Sequence, residues 1–179
     1  MIRILAISGS LRARSTNTEV LRAAASLAAG SAHVALYDDL ATLPHFNPDD
    51  DTEGAMLPGP VRSLRRKIES ADALLICSPE YAHGVPGVLK NALDWLVSGP
   101  EMVDKPVGLL NASSRSTHAQ ASLAETLRTM SVALVDGACV DVALDGRRLD
   151  SAAIAATPEL AAPLRGALDA LTAAIDARR

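Results

Sequence analysis

Aromatic residues are nearly absent. Only 2% of the 179 residues are Phe, Trp or Tyr, with Trp95 and Phe46 the single examples of their types. The core must therefore be built from Ala, Leu, Val and Ile. No excess of positive charge is present either: net charge is −4 and the isoelectric point near 5.5, which argues against nucleic-acid and anionic-membrane partners. No apolar run reaches membrane-spanning length. The first residues read as a strand rather than a basic lead followed by a signal-length apolar stretch. The two cysteines, Cys77 and Cys139, each lie inside an apolar run, so they read as small buried thiols rather than a disulfide or metal pair. His33 and His45 lack partners at metal spacing, and no metal site is expected. These absences leave a cytoplasmic protein of one domain, residues 1–179, with room for a substantial core.

Apolar runs of strand length alternate with segments of helical period, the pattern of a parallel sheet wrapped by helices. The strands expected are Arg3–Ser8, Ala32–Tyr37, Ala73–Ser78, Val107–Asn111 and Val135–Val142. The helices expected are Thr18–Ala29, Pro60–Ser70, Pro86–Val97, Ala119–Met130 and much of Ser151–Arg179, the last interrupted or restarted near Pro158 and Pro163. Five such strands imply an α/β, flavodoxin-like doubly wound sheet in the order 2-1-3-4-5, with helices on both faces. The long connection Asp38–Gly59 carries six acidic residues; Asp49, Asp50 and Asp51 read as a solvated run, while Leu43–Asn47 reads as a segment that packs, either on its own body or across a subunit contact.

In such a sheet, ligands bind beyond the carboxyl ends of the strands where strand order reverses, between the first and third strands. The loop after the first strand, Gly9–Asn17, carries Ser10, Ser15, Thr16 and Asn17 as neutral donors and Arg12 and Arg14 as planar forks. It opens a helix, whose first amides and positive dipole end suit a phosphate. Plain helix capping would need only one of these residues. The loop after the third strand, Ser78–Gly87, has two prolines and two glycines. It suits close backbone approach to a flat ligand, or else merely makes a tight turn. Neither loop carries a nucleophile elbow, a Walker A motif or a G-x-G-x-x-G fingerprint.

Gly9-Ser10-Leu11-Arg12 with Ser15 and Asn17, followed by Pro79-Glu80-Tyr81 and Gly84-Val85-Pro86-Gly87-Val88-Leu89-Lys90-Asn91-Ala92-Leu93-Asp94-Trp95-Leu96, resembles the NADPH-dependent FMN reductase family over Met1 to about Val142. The resemblance implies a flavoprotein in which NADPH or NADH reduces FMN, and FMN then reduces a small acceptor such as a quinone, free flavin or chromate. It implies that Ser10, Arg12, Ser15 and Asn17 hold the FMN phosphate. It also implies that Pro79, Glu80, Tyr81, His83, Gly84 and Val85 meet the isoalloxazine edge. No protein side chain is expected to be catalytic, since the flavin carries the hydride. The family also implies a homodimer or homotetramer.

The loop after the fourth strand departs from the family pattern. Many members have a glycine-rich stretch there, whereas this chain has no glycine between Gly108 and Gly137. Ser113 and Ser114 are small enough to approach a flavin, and Arg115 reaches toward a nucleotide. Two rival readings are a flavodoxin-like electron carrier and a degenerate member that binds FMN without turnover. His118 reads as a solvated or capping residue at a helix start. Trp95 reads as packing rather than flavin stacking.

Overall fold

The computed structural model describes all 179 residues. The chain folds as β1 (Ile2–Ser8), α1 (Thr16–Leu27), β2 (Ala32–Tyr37), α2 (Gly59–Ser70), β3 (Ala73–Cys77), α3 (Gly87–Asp94), β4 (Pro106–Asn111), α4 (His118–Thr129), β5 (Ala133–Leu134), β6 (Val140–Asp141), α5 (Ser151–Ala156) and α6 (Pro158–Asp176). The sheet order is β2-β1-β3-β4-β5, every ladder is parallel, and β6 pairs with β4. The expected α/β doubly wound order is therefore present.

The alternation of strand side chains sorts the core into two layers. Ile4, Ala6, Leu75 and Cys77 point to the layer covered by α1, α5 and α6. Leu5, Ile7, Leu74 and Ile76 point to the layer covered by α2, α3 and α4. Strand β3 is buried at every position, as expected of a central strand between two helical layers. Aliphatic residues fill both layers, and Trp95 is the one large ring completely enclosed. Its Nε1 donates to the Pro44 carbonyl at 2.8 Å and its ring meets Phe46 edge-on, so it packs within the fold.

The fifth strand corrects the expectation. Instead of one strand over Val135–Val142, two two-residue strands flank a 3₁₀ turn, Asp136–Ala138. That turn drives Ala138, wholly buried, onto Gly108 of β4. A Cβ at Gly108 would lie 3.0 Å from both the Ala138 Cβ and its carbonyl oxygen. The split also turns Cys139 outward, so it is an exposed free thiol rather than a buried one; Cys77 is buried as expected.

Other boundaries shift for local reasons. Helix α1 begins two residues early because Ser15 caps it, accepting from the Thr18 amide at 3.3 Å. Helix α3 ends at Asp94, earlier than expected. Pro158 opens α6, but Pro163 lies inside that helix rather than in a first turn. The segment Leu43–Asn47 packs on its own body: Asn91 accepts from the Phe46 amide at 2.8 Å and donates to the Pro44 carbonyl at 2.9 Å. In the acidic run, Asp51 is not simply solvated. Its carboxylate lies 3.1 Å from Arg65 with 7% of its side chain exposed.

Candidate active site: three loops at the carboxyl edge

The loops after β1, β3 and β4 all leave the same edge of the sheet. Parallel pairing of β1 with β3 sets Ser8 beside Cys77, and the Gly9 amide donates to the Cys77 carbonyl at 2.9 Å. Gly9 has to be glycine here, since a Cβ would fall 2.5 Å from Ser78 Oγ and 3.2 Å from Leu89. The first two loops therefore touch at their roots.

In the first loop, the amides of Leu11, Ala13, Arg14, Ser15, Thr16 and Asn17 have no acceptor in the chain. They run along the loop into the first turn of α1, where the helix dipole favours an anion. Ser10 Oγ accepts from the Arg12 amide at 3.3 Å, and Arg12 and Arg14 are exposed and take part in no ion pair. Ser15 is buried as the helix cap, which leaves its own hydroxyl hydrogen to donate. Asn17 is also buried; its Oδ1 accepts from the Cys77 thiol at 3.2 Å, leaving Nδ2 as a donor. Thr16 opens α1 and lines, with Arg12, Arg14 and Arg148, a cavity of about 390 Å³. Glu19 and Asp150 border the same cavity, but the Glu19 carboxylate is taken up by Arg22 and by the Ser151 amide, and that of Asp150 caps α5 by accepting from the Ala153 amide at 2.8 Å. This donor set suits a phosphate: many N–H and O–H groups, uncompensated guanidiniums, and two acids already engaged, Glu19 by Arg22 and Asp150 by an amide.

The second loop is held more tightly than its sequence implies. Tyr81 and Gly84 exchange two backbone hydrogen bonds, 3.1 and 2.9 Å, and Ala82 and His83 between them have φ of 50° and 60°. The amides of Glu80, Ala82, His83 and Val85 have no acceptor in the chain, so they remain for a ligand. Pro79 is half-buried and Tyr81 is half exposed. Glu80 is not a free acid. Its Oε1 meets His83 Nδ1 at 2.9 Å and its Oε2 accepts from the Ala119 amide at 2.9 Å. The Ala119 N–H bond, followed by the His83 interaction, holds this carboxyl below the usual glutamate range. His118, expected to be merely solvated or capping, packs its ring edge-on against His83 with centroids 4.5 Å apart.

The third loop compensates for its missing glycines by an internal network. Asn111 accepts from the Ser113 amide at 3.3 Å and donates to Asp141 at 2.8 Å. Asp145, at φ 45°, accepts from both the amide and the hydroxyl of Ser114, at 3.0 and 2.8 Å. Those two bonds hold the Asp145 carboxyl below its ordinary range. The Arg115 amide leans on Ser113 Oγ, and the Arg115 side chain is exposed and takes part in no ion pair. Thus Ser114 is committed to Asp145, whereas the Ser113 hydroxyl is met only by the Arg115 amide and Arg115 has no ion-pair partner. Asp145 and Arg148 were not singled out from the sequence. The Asp145-Gly146 pair signals only a turn, and the reach of Arg148 to the first loop depends on how α1 and α5 pack.

The family described as NADPH-dependent FMN reductase matches residues 2–144. An NAD(P)H-dependent FMN reductase of Pseudomonas aeruginosa is 39% identical over 131 residues, 70% of this chain and 69% of its own. An NADPH:quinone oxidoreductase of Arabidopsis thaliana is 41% identical over 114 residues, 62% of this chain; the match spans 58% of that relative. Among solved structures, a flavoenzyme NAD(P)H:(acceptor) oxidoreductase from Paracoccus denitrificans superposes with a TM-score of 0.81 at 26% identity, covering 99% of this chain and 98% of that one. With its doubly wound sheet, its three edge loops and a family match over most of its length, the chain belongs to the NADPH-dependent FMN reductase family.

Proposed function

We propose that this protein passes two electrons from NADPH or NADH, through FMN, to a small acceptor such as a quinone, free flavin or chromate. One observation carries the reading: the row of unpartnered amides and unpaired arginines at the start of α1 stands beside a second loop whose amides are also unclaimed. In the proposed site Ser10, Arg12, Ser15, Thr16 and Asn17 hold the FMN phosphate. Pro79, Glu80, Tyr81, His83, Gly84 and Val85 border the ring edge, with Ser113, Ser114 and Arg115 on the opposite wall. When bound, the flavin accepts hydride and returns electrons in pairs. The chain's part is placement and charge: the unclaimed N–H groups of Glu80, Ala82, His83 and Val85 would stabilise the negative charge that reduction adds to a ring bound beside them.

The reading also takes the chain as one domain acting in a reducing, cytoplasmic compartment, supported by two free thiols and by the absence of a helix long and apolar enough to cross a membrane. It assembles as a homodimer or homotetramer. Support for this comes from Leu11 and Tyr81, about half exposed beside the crevice. Light scattering on the flavin-loaded protein tests the assembly, and a monomer would overturn it.

Anaerobic mixing tests the activity. NADPH should bleach the FMN absorbance, and a benzoquinone should restore it. Bound flavin that NADPH leaves oxidised would instead identify an electron carrier, and no flavin binding would identify a degenerate member.

A further inference from the structure

The second loop holds a polar assembly that cofactor placement alone does not use. His83 stands at the tip of the Tyr81–Gly84 turn, next to Ala82, and both have left-handed backbones. Such conformations are uncommon outside glycine and persist where the surroundings fix them. Here the fixing groups come from two elements. Glu80, on the same loop, holds His83 Nδ1 with one oxygen and the first turn of α4 with the other. From α4, the His118 ring restrains the plane of the His83 ring. A carboxylate only accepts hydrogen bonds, so His83 Nδ1 carries the proton in this pair. That leaves Nε2 as the nitrogen that exchanges protons with solvent or substrate, and the His83 side chain is 77% exposed. The charged and titratable groups facing His83 are Glu80 and His118; no second carboxylate and no basic side chain is ion-paired to it.

We propose that His83 donates a proton to the acceptor during its reduction, with Glu80 as the residue that positions its ring. This rests on the reading of the chain as an FMN-dependent reductase of quinone-type acceptors. The balance is as follows for a quinone. A quinone that has gained a hydride equivalent, two electrons and one hydrogen nucleus, is a quinol monoanion. The Nε2–H bond of the His83 imidazolium breaks and its electron pair stays on nitrogen, while an O–H bond forms on the quinol oxygen. The product is the neutral quinol, and solvent returns a proton to Nε2. The Glu80 carboxylate accepts from Nδ1 and so fixes which ring nitrogen is left for the acceptor.

Reoxidation of the reduced protein by two acceptors tests the assignment. A benzoquinone needs two electrons and a proton, whereas ferricyanide takes one electron and no proton. In His83→Asn, the ratio of quinone to ferricyanide reoxidation rates should fall tenfold or more, within the range of general acid catalysis. Asparagine tolerates the left-handed backbone, so the turn is retained. Glu80→Gln should lower the same ratio less. In ¹⁵N-resolved spectra of the unreacted protein, taken where the ring is neutral, His83 should keep its proton on Nδ1, the proton given up by the imidazolium being the one on Nε2, and Glu80→Gln should mix the tautomers. Equal changes with both acceptors in His83→Asn, or a wild-type ring protonated on Nε2 alone, would overturn the role of His83. Failure of NADPH to bleach wild-type flavin would strike the underlying reading instead. The same comparison then runs on dithionite-reduced protein.

Discussion

At the scale of single residues, the site depends on which polar groups are already spent. Arg12 is exposed and unpaired, and its loop offers amides with no acceptor, so its guanidinium is available to a phosphate. Arg12→Ala should weaken FMN binding by about 1.5–3 kcal/mol, the worth of a charged hydrogen bond, while leaving riboflavin binding nearly unchanged. Flavin fluorescence quenching measures both. Glu80 is spent on His83 and Ala119, and its lowered pKa has a definite sign for stability. A carboxyl held below its unfolded value contributes fully above the ordinary glutamate range, and the contribution is lost as pH falls through the folded value. Wild type should therefore lose more stability than Glu80→Gln as pH falls below about 4.5, read from urea unfolding at each pH. The thiols differ in the same way. Burial encloses Cys77 and pushes its thiol up strongly, whereas Cys139 is exposed, so alkylation of the native protein should stop at one label, on Cys139. Mass spectrometry after proteolysis checks the position.

At the scale of elements, the strands of the central sheet and most helices were legible because their signals are local: unbroken apolar runs for strands buried on both faces, and capping or proline at helix starts. The fifth strand was not, since its apolar run continues through Val135–Val142 while the chain turns to seat Ala138 on Gly108. Only the partner strand reveals that contact. Gly108→Val should cost about 1–3 kcal/mol by overpacking against Ala138 and Leu75, measured as a lower urea midpoint. The acidic connection was read as solvated because sequence does not show that Arg65 is waiting beneath it. Arg65 bonds the Trp95 carbonyl at 3.1 and 2.6 Å and pairs with Asp51 and Glu101, both largely buried. Arg65→Ala leaves two enclosed carboxylates without a cation and should cost about 3–5 kcal/mol.

At the scale of the whole molecule, the crevice was legible because strand order and loop position together fix where ligands bind in this fold. Gly9–Asn17 and Ser78–Gly87 meet there as expected, joined at Gly9 and Cys77. The links that order the third loop were not legible. Asp145 reaches Ser114 across 31 residues, and Glu80 reaches Ala119 across 39, separations at which a single sequence carries no pairing signal. The His83–His118 contact is of the same kind.

A crystal structure of the chain with FMN tests the link from geometry to function most directly. The phosphate should lie within hydrogen-bond reach of amides in residues 11–17 and of Arg12, with the ring between the loops of Pro79–Val85 and Ser113–Arg115. A phosphate bound away from the start of α1, or a ring outside that crevice, would contradict it.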